Sequence, residues 1–193
     1  MNKRHSHQST PQPETASIRK GYEDYSVQGY YEKFGDRYRN PQESAIQQVL
    51  QLAVSQWPLD FQQVLDLACG SGEVTLALQS LGCTNNIEGI DPYTYDAYWK
   101  RTGKQAETYT FEDIADGILQ ERHYSLIVCS FALHLLTPSR LPSVVYQLSL
   151  VADSLLILTP NKRPYLKSEW GWLYLDEIMC NRVRARLYER SYC

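Results

Sequence analysis

"VLDLACGSGEVTLAL", Val64 to Leu78, decides how this chain is read. A short apolar run carries Asp66 near its end, two glycines follow, and a helical pattern then begins. Strand, tight turn and helix in that order open the nucleotide-binding half of an α/β fold. Gly70 and Gly72 let the backbone turn and approach a ligand with no Cβ in the way. The N–H groups that open the following helix could face that ligand.

The chain on either side has the matching rhythm. "NPQESAIQQVLQLAVSQW" reads as a helix with Asn40 as N-cap, Pro41 at the first position and Ile46, Val49, Leu50 and Ala53 on one face. After the turn, "NIEGIDP", "AETYTF", "YSLIVCSFA" and "SLLILTP" read as strands. "YTYDAYWKRTG", "DIADGIL" and "TPSRLPSVVYQLSLV" read as the helices between them, and Gly82 as the C-cap of the helix after the glycines. Such alternation predicts a parallel sheet covered on both faces. "KSEWGWLYLDEIM" is expected to be a helix, and "RVRARLYERSY" a half-exposed strand closing one edge. The expected fold is α/β: a Rossmann-like sheet, mostly parallel with an antiparallel edge strand, helices on both faces. Its expected organisation is a disordered tail over 1–17, a Tyr-rich cap segment over 18–40 and one domain over 41–193.

Composition excludes several classes. The 193 residues suffice for one domain with a real core. No apolar run reaches membrane-spanning length, and the N-terminus lacks the apolar stretch of a secretory signal. Five cysteines without a C-x-x-C argue against a disulfide framework or a structural zinc site, so a reducing, cytoplasmic setting is expected. Net charge is +2 over residues 1–40, −8 over 41–161 and +3 over 162–193. That distribution does not favour nucleic acid, though it leaves room for an anionic substrate near the two ends.

The turn itself discriminates among nucleotides. A dinucleotide fingerprint needs a third glycine three residues after Gly72, where Thr75 stands, and no G-x-x-x-x-G-K-[ST] occurs. Asp66 facing the turn would repel a pyrophosphate and attract the ammonium of an amino acid. Asp91 ends the second strand nineteen residues after Gly72, where a carboxylate takes both hydroxyls of a ribose. The pattern suits a nucleoside joined to an amino acid.

At this point the chain resembles the class I S-adenosylmethionine-dependent methyltransferases. "DLACGSG" resembles their first motif, D/E-x-G-x-G-x-G, with Ala68 at the first glycine. "IEGIDP", "TFEDIADG" and "YSLIVCSFALHLL" resemble the second, third and fourth motifs, in order and at the proper spacing. The resemblance covers about residues 40–160 and implies S-adenosylmethionine as donor, with S-adenosylhomocysteine as product. It implies that Asp66, Ala68, Gly70 and Gly72 hold the methionine end, and that Asp91 with Pro92 takes the ribose. Asp113 and Ile114 would meet the adenine, and Ser130 and Phe131 would pass beneath the sulfonium. For Asp91 and Asp113 the plain alternative is helix capping.

The acceptor is less legible. "SFAL" after the fourth strand lacks the family's [DNS]-P-P-[FYW] of nucleobase amine methylation, Cys129 sits within an apolar strand, and no metal triad stands out. His134 is the candidate base. "YYEKFGDRYRNPQE" resembles a G-x-x-Y-x-N-P-H segment of some small methyltransferases, with Gln42 at the histidine. Tyr30 and Tyr31 would then cover the sulfonium by cation–π contact, and Tyr38 and Arg39 would reach the acceptor. Asn161, Lys162 and Arg163, after the fifth strand, are candidates for an anionic group. With no large insertion to grip a macromolecule, a small-molecule O or N acceptor is expected. A protein or RNA acceptor, or a module that binds the donor without transferring its methyl, are the alternatives. Oligomeric state is not legible.

Overall fold

The computed structural model describes residues 29–31, 33–83 and 86–191. The tail expected over 1–17, and the part of the cap segment before Gly29, lie outside the described residues. A seven-stranded sheet has the order β3-β2-β1-β4-β5-β7-β6. Its strands are β1 (Val64–Leu67), β2 (Ile87–Ile90), β3 (Ala106–Glu107), β4 (Tyr124–Ser130), β5 (Ala152–Thr159), β6 (Trp172–Cys180) and β7 (Val183–Arg190). The first five run parallel, and β7 pairs antiparallel with both β5 and β6. The fold is the expected Rossmann-like sheet, mostly parallel with an antiparallel edge. The strand at the rim, however, is β6, and β7 lies one place inside it.

Helices cover both faces. Helix α1 (Glu43–Gln56) and helix α2 (Glu73–Ser80) lie against Val64, Leu126, Val128, Leu156 and Leu158. On the other face, α4 (Phe111–Ala115) and α5 (Leu141–Val151) cover Leu65, Leu67, Ile127, Cys129 and Leu155. Strands buried on both faces need apolar side chains at nearly every position, which "VLDL" and "SLIVC" supply. Helix α3 (Tyr95–Thr102) follows β2, and its Tyr98 is fully buried. No helix among the described residues is long and apolar enough to cross a membrane.

Several local expectations change. Residues 172–180 form a strand, not a helix. Gly171 at φ 85° breaks the chain after a single 3₁₀ turn, and Asn181 (φ 47°) and Arg182 (φ 66°) then make a tight two-residue hairpin turn. Two successive positive φ values are the signature of a turn whose twist matches a strand pair. Strand β3 is only Ala106–Glu107, because Thr110 and Asp113 form a reciprocal capping box that starts α4 at Phe111. Helix α1 begins at Glu43 rather than Pro41. Asn40 Oδ1 accepts from the Gln42 N–H at 2.9 Å, an Asx turn placed before the helix. Helix α5 begins at Leu141, after a turn from Thr137.

Candidate active site

The parallel register brings the carboxyl ends of β1, β2 and β4 level, pairing Leu67 with Ile90 and with Cys129. Beyond these ends lies a cleft of about 270 Å³, where an open α/β sheet holds its ligand. Its floor is Leu67, Ala68, Gly70, Ile90, Asp91 and Pro92. One end is walled by Tyr109, Thr110, Phe111, Glu112 and Ile114, the other by Ser130, Phe131, Ala132, Leu135 and Leu136. Tyr31, Tyr38 and Tyr93 roof it. These three rings form one cluster: Tyr31 stands edge-on to Tyr38 at 5.3 Å and parallel to Tyr93 at 6.1 Å.

The turn after β1 is built for close approach. Ala68 has φ 55°, Gly70 58° and Gly72 90°. At Gly72 an added Cβ would stand 2.4 Å from Thr102 Cγ2, so α2 can pack on α3 only with glycine there. Gly72 thus shapes the turn but does not line the cleft. Ala68 is the departure from the glycine motif, yet it keeps the left-handed backbone that a glycine would adopt. Phe131 also has positive φ, at 57°. Two non-glycine residues in this region, both lining one cleft, are the kind of local strain found at binding sites.

Asp91 ties the two loops together. Its Oδ1 accepts from the Tyr93 and Thr94 N–H groups, each at 2.9 Å, and its Oδ2 accepts from the Gly70 N–H at 3.1 Å. Burial raises its pKa against these three backbone donors. The capping alternative therefore describes Oδ1, while Oδ2 retains acceptor capacity at the cleft.

Asp66 is fully buried. Its Oδ2 accepts from the Thr75 N–H at 3.1 Å and the Thr75 hydroxyl at 2.7 Å, bracing β1 against α2. It does not line the main cleft. It lines a small adjoining void of about 20 Å³ with Tyr38, Asn40, Glu73 and Ser130, among others. Burial pushes its carboxyl up to about 8, against the Thr75 hydroxyl and with the nearby Glu73 adding to the rise. An unfolded aspartate titrates near 3.9. The folded pKa is thus the higher one, so the stability this group contributes is full below pH ~4 and is lost as pH rises through about 8. Asp66→Asn, which can keep an oxygen for Thr75, is expected to flatten the fall in stability between pH 5 and 9. Urea unfolding at three pH values measures this, and an unchanged slope refutes it.

A buried ionic network fixes the roof segment to the turn. Glu73 Oε1 accepts from the Asn40 N–H at 2.9 Å and the Ser71 hydroxyl, and Oε2 accepts from the Ser71 N–H at 3.1 Å. Arg101 of α3 reaches Glu73 at 3.2 Å, the Ser71 hydroxyl at 2.8 Å and Glu43 of α1. Tyr38, two residues before Asn40, is thereby held over Gly70. None of Glu73, Arg101 or Glu43 stands out in the sequence as a site residue.

The structure brings together Ala68, Gly70, Asp91, Pro92, Ile114, Ser130, Phe131, Tyr31 and Tyr38 around the cleft. Others it places elsewhere. Asp113 is exposed and spends its carboxylate on the Thr110 N–H and hydroxyl, at 2.8 and 2.7 Å, leaving Thr110, Phe111 and Glu112 to face the cleft. Tyr30 lies behind Tyr31, against Phe34. Arg39 is exposed and pairs with Glu43 at 2.9 Å. His134 sits on a 3₁₀ turn whose neighbours Leu135 and Leu136 line the cleft, but it does not line it.

Asn161, Lys162 and Arg163 also lie outside. The carbonyls of Asn161, Lys162 and Pro164 accept from the buried guanidinium of Arg186, which draws this loop onto β7. Sequence reasoning missed Tyr93, Tyr109, Phe111, Leu135 and Leu136. Tyr93 follows the second motif's acid and proline directly, a signal that was available.

The family model described as "Methyltransferase domain" matches residues 36–190. A fission yeast (Schizosaccharomyces pombe) protein of uncharacterised function is 38% identical, over 76% of each chain. Among solved structures, magnesium protoporphyrin IX methyltransferase from Synechocystis, with bound S-adenosylmethionine, superposes with TM-score 0.58 at 16% identity. It covers 90% of this chain and 95% of that one. A ribosomal protein L11 methylase from Lactobacillus delbrueckii superposes with TM-score 0.56 at 15% identity, over 80% and 81%. The chain belongs to the methyltransferase-domain family, with the fold of the class I S-adenosylmethionine-dependent enzymes. It is a methyltransferase by that family, and the superposed Synechocystis enzyme is one that carries S-adenosylmethionine.

Proposed function

We propose that the enzyme methylates an O or N atom of a small molecule. The observation that carries this reading is the cleft itself: about 270 Å³, roofed by Tyr31, Tyr38 and Tyr93, with an apolar far wall. The donor fills most of a cavity of that size, so the acceptor meets it at the Phe131, Ala132, Leu135 and Leu136 wall. The donor in this reading, S-adenosylmethionine, supplies a methyl group on a sulfonium. Gly70 lets the chain pass close to its methionine end, and Asp66 lines the adjoining void, where an ammonium would favour the ionised form of its carboxyl. Asp91 Oδ2 receives the ribose. Tyr109, Phe111 and Ile114 bury the adenine. Tyr31 and Tyr38 present ring faces to the sulfonium.

No base is assigned. Proximity and alignment within the cleft carry the transfer. The odd number of cysteines and the lack of a C-x-x-C in the sequence support a reducing, cytoplasmic setting.

The test is calorimetry with S-adenosylhomocysteine, followed by incubation with methyl-labelled donor and fractionated cell extract. Label in a product smaller than a peptide is the expected outcome. Label confined to protein or RNA overturns the small-molecule reading, and donor binding with no labelled product in any fraction favours a non-catalytic module.

A further inference from the structure

We infer that the acceptor is an uncharged, ring-bearing molecule whose nucleophilic O–H or N–H group meets the hydroxyl of Ser130. The inference rests on the small-molecule reading above and names the class of substrate within it. Three observations carry it.

The first is the lining. Beyond β4 the cleft is lined by Phe131, Ala132, Leu135 and Leu136, and Tyr31 lines the same cleft. Apolar and aromatic surface of this kind suits a ring and gives a charged group no partner.

The second is charge. Among the described residues no Lys, Arg or His lines the cleft, and the charged residues that do are Asp91 and Glu112. Of the residues lining the adjoining void, Glu73 is paired with Arg101 and burial favours the neutral form of Asp66, so neither adds a free charge. A carboxylate or phosphate on the acceptor would meet Asp91 and Glu112 with no cation in the cleft lining to receive it. An amine reacts only in its neutral form, because a protonated nitrogen has no lone pair to offer.

The third is Ser130. Its Oγ is buried and has no hydrogen-bond partner among the described residues. It stands at the end of β4, on the boundary between the cleft and the adjoining void. A buried hydroxyl left unpaired is costly, and a ligand that supplies the missing bond recovers that cost. A neutral O–H or N–H, which can donate to and accept from a serine, is the complementary group.

The experiment uses the full chain saturated with S-adenosylhomocysteine and three probes of one shape: 2-naphthol, 2-naphthoate and 2-methylnaphthalene. Binding is read by calorimetry. The expected result is 2-naphthol binding about tenfold or more tighter than 2-naphthoate, and several-fold tighter than 2-methylnaphthalene. In Ser130→Ala the preference for the hydroxyl over the methyl probe should disappear, a ratio that a general loosening of the site would not move.

Equal or tighter binding of 2-naphthoate overturns the inference. So does absence of 2-naphthol binding at millimolar concentration, or a hydroxyl preference that survives Ser130→Ala. Failure of S-adenosylhomocysteine itself to bind is a separate result, and it brings down the reading of the site on which the inference stands.

Discussion

Asp91→Ala is expected to weaken S-adenosylhomocysteine binding by about 100-fold or more, measured by calorimetry. The size follows from what one carboxylate does. It accepts from Gly70 at 3.1 Å and from Tyr93 and Thr94 at 2.9 Å each, so it holds both loops that floor the cleft. Removing it leaves three backbone donors unpaired, one buried and two part-buried, at about 1–3 kcal/mol for each that finds no water. It also removes the acceptor proposed for the ribose. Asp91→Asn keeps one carbonyl oxygen and should fall between. Unchanged affinity in Asp91→Ala would remove the ribose assignment, whatever happened to stability. A thermal melt run alongside separates loop loosening from lost ligand contact.

Glu177→Ala is expected to destabilise the fold by about 3 kcal/mol while leaving donor affinity nearly unchanged. The Arg186 side chain is 0% exposed, and its Nε donates to Glu177 Oε2 at 2.6 Å. Three further N–H groups go to the carbonyls of Asn161, Lys162 and Pro164, and its guanidinium lies 4.1 Å from the centre of the Tyr165 ring. Carbonyls orient a guanidinium but do not cancel its charge. Breaking a buried pair by removing one partner typically costs 3–5 kcal/mol, and the lower figure applies because Glu177 is 19% exposed. Chemical unfolding of both proteins reads the difference. A loss below about 1 kcal/mol would mean that water compensates the guanidinium.

The two substitutions also show where the sequence was readable. Asp91, Gly70 and the strand ends announce themselves because local pattern determines them: an apolar run, a glycine, a carboxylate at fixed spacing. Asp113 was legible too, since Thr110 three residues earlier spells a capping box, but the motif resemblance pointed past it. Arg39 had a partner in reach at Glu43, four residues on.

The loop of Asn161, Lys162 and Arg163 was not readable. Its direction is set by Arg186, a residue more than twenty positions later on another strand. Strand β6 was hidden for a similar reason. Its apolar residues suit a helix, and only pairing with β7 across Asn181-Arg182 makes them a strand.

The cleft-lining residues run from Tyr31 to Leu136, whereas the helix and strands that close the far side of the sheet run from Leu141 to Arg190. Selection therefore acts on the two stretches through different quantities. Changes before residue 137 that reach the floor or roof alter how tightly substrates are held. Changes after it, as at Glu177, alter how much folded enzyme a cell keeps, because a loss of 1–2 kcal/mol already shifts abundance several-fold. A survey of variants scored for both abundance and activity per molecule would find losses of activity per molecule concentrated before that line and losses of abundance on both sides of it.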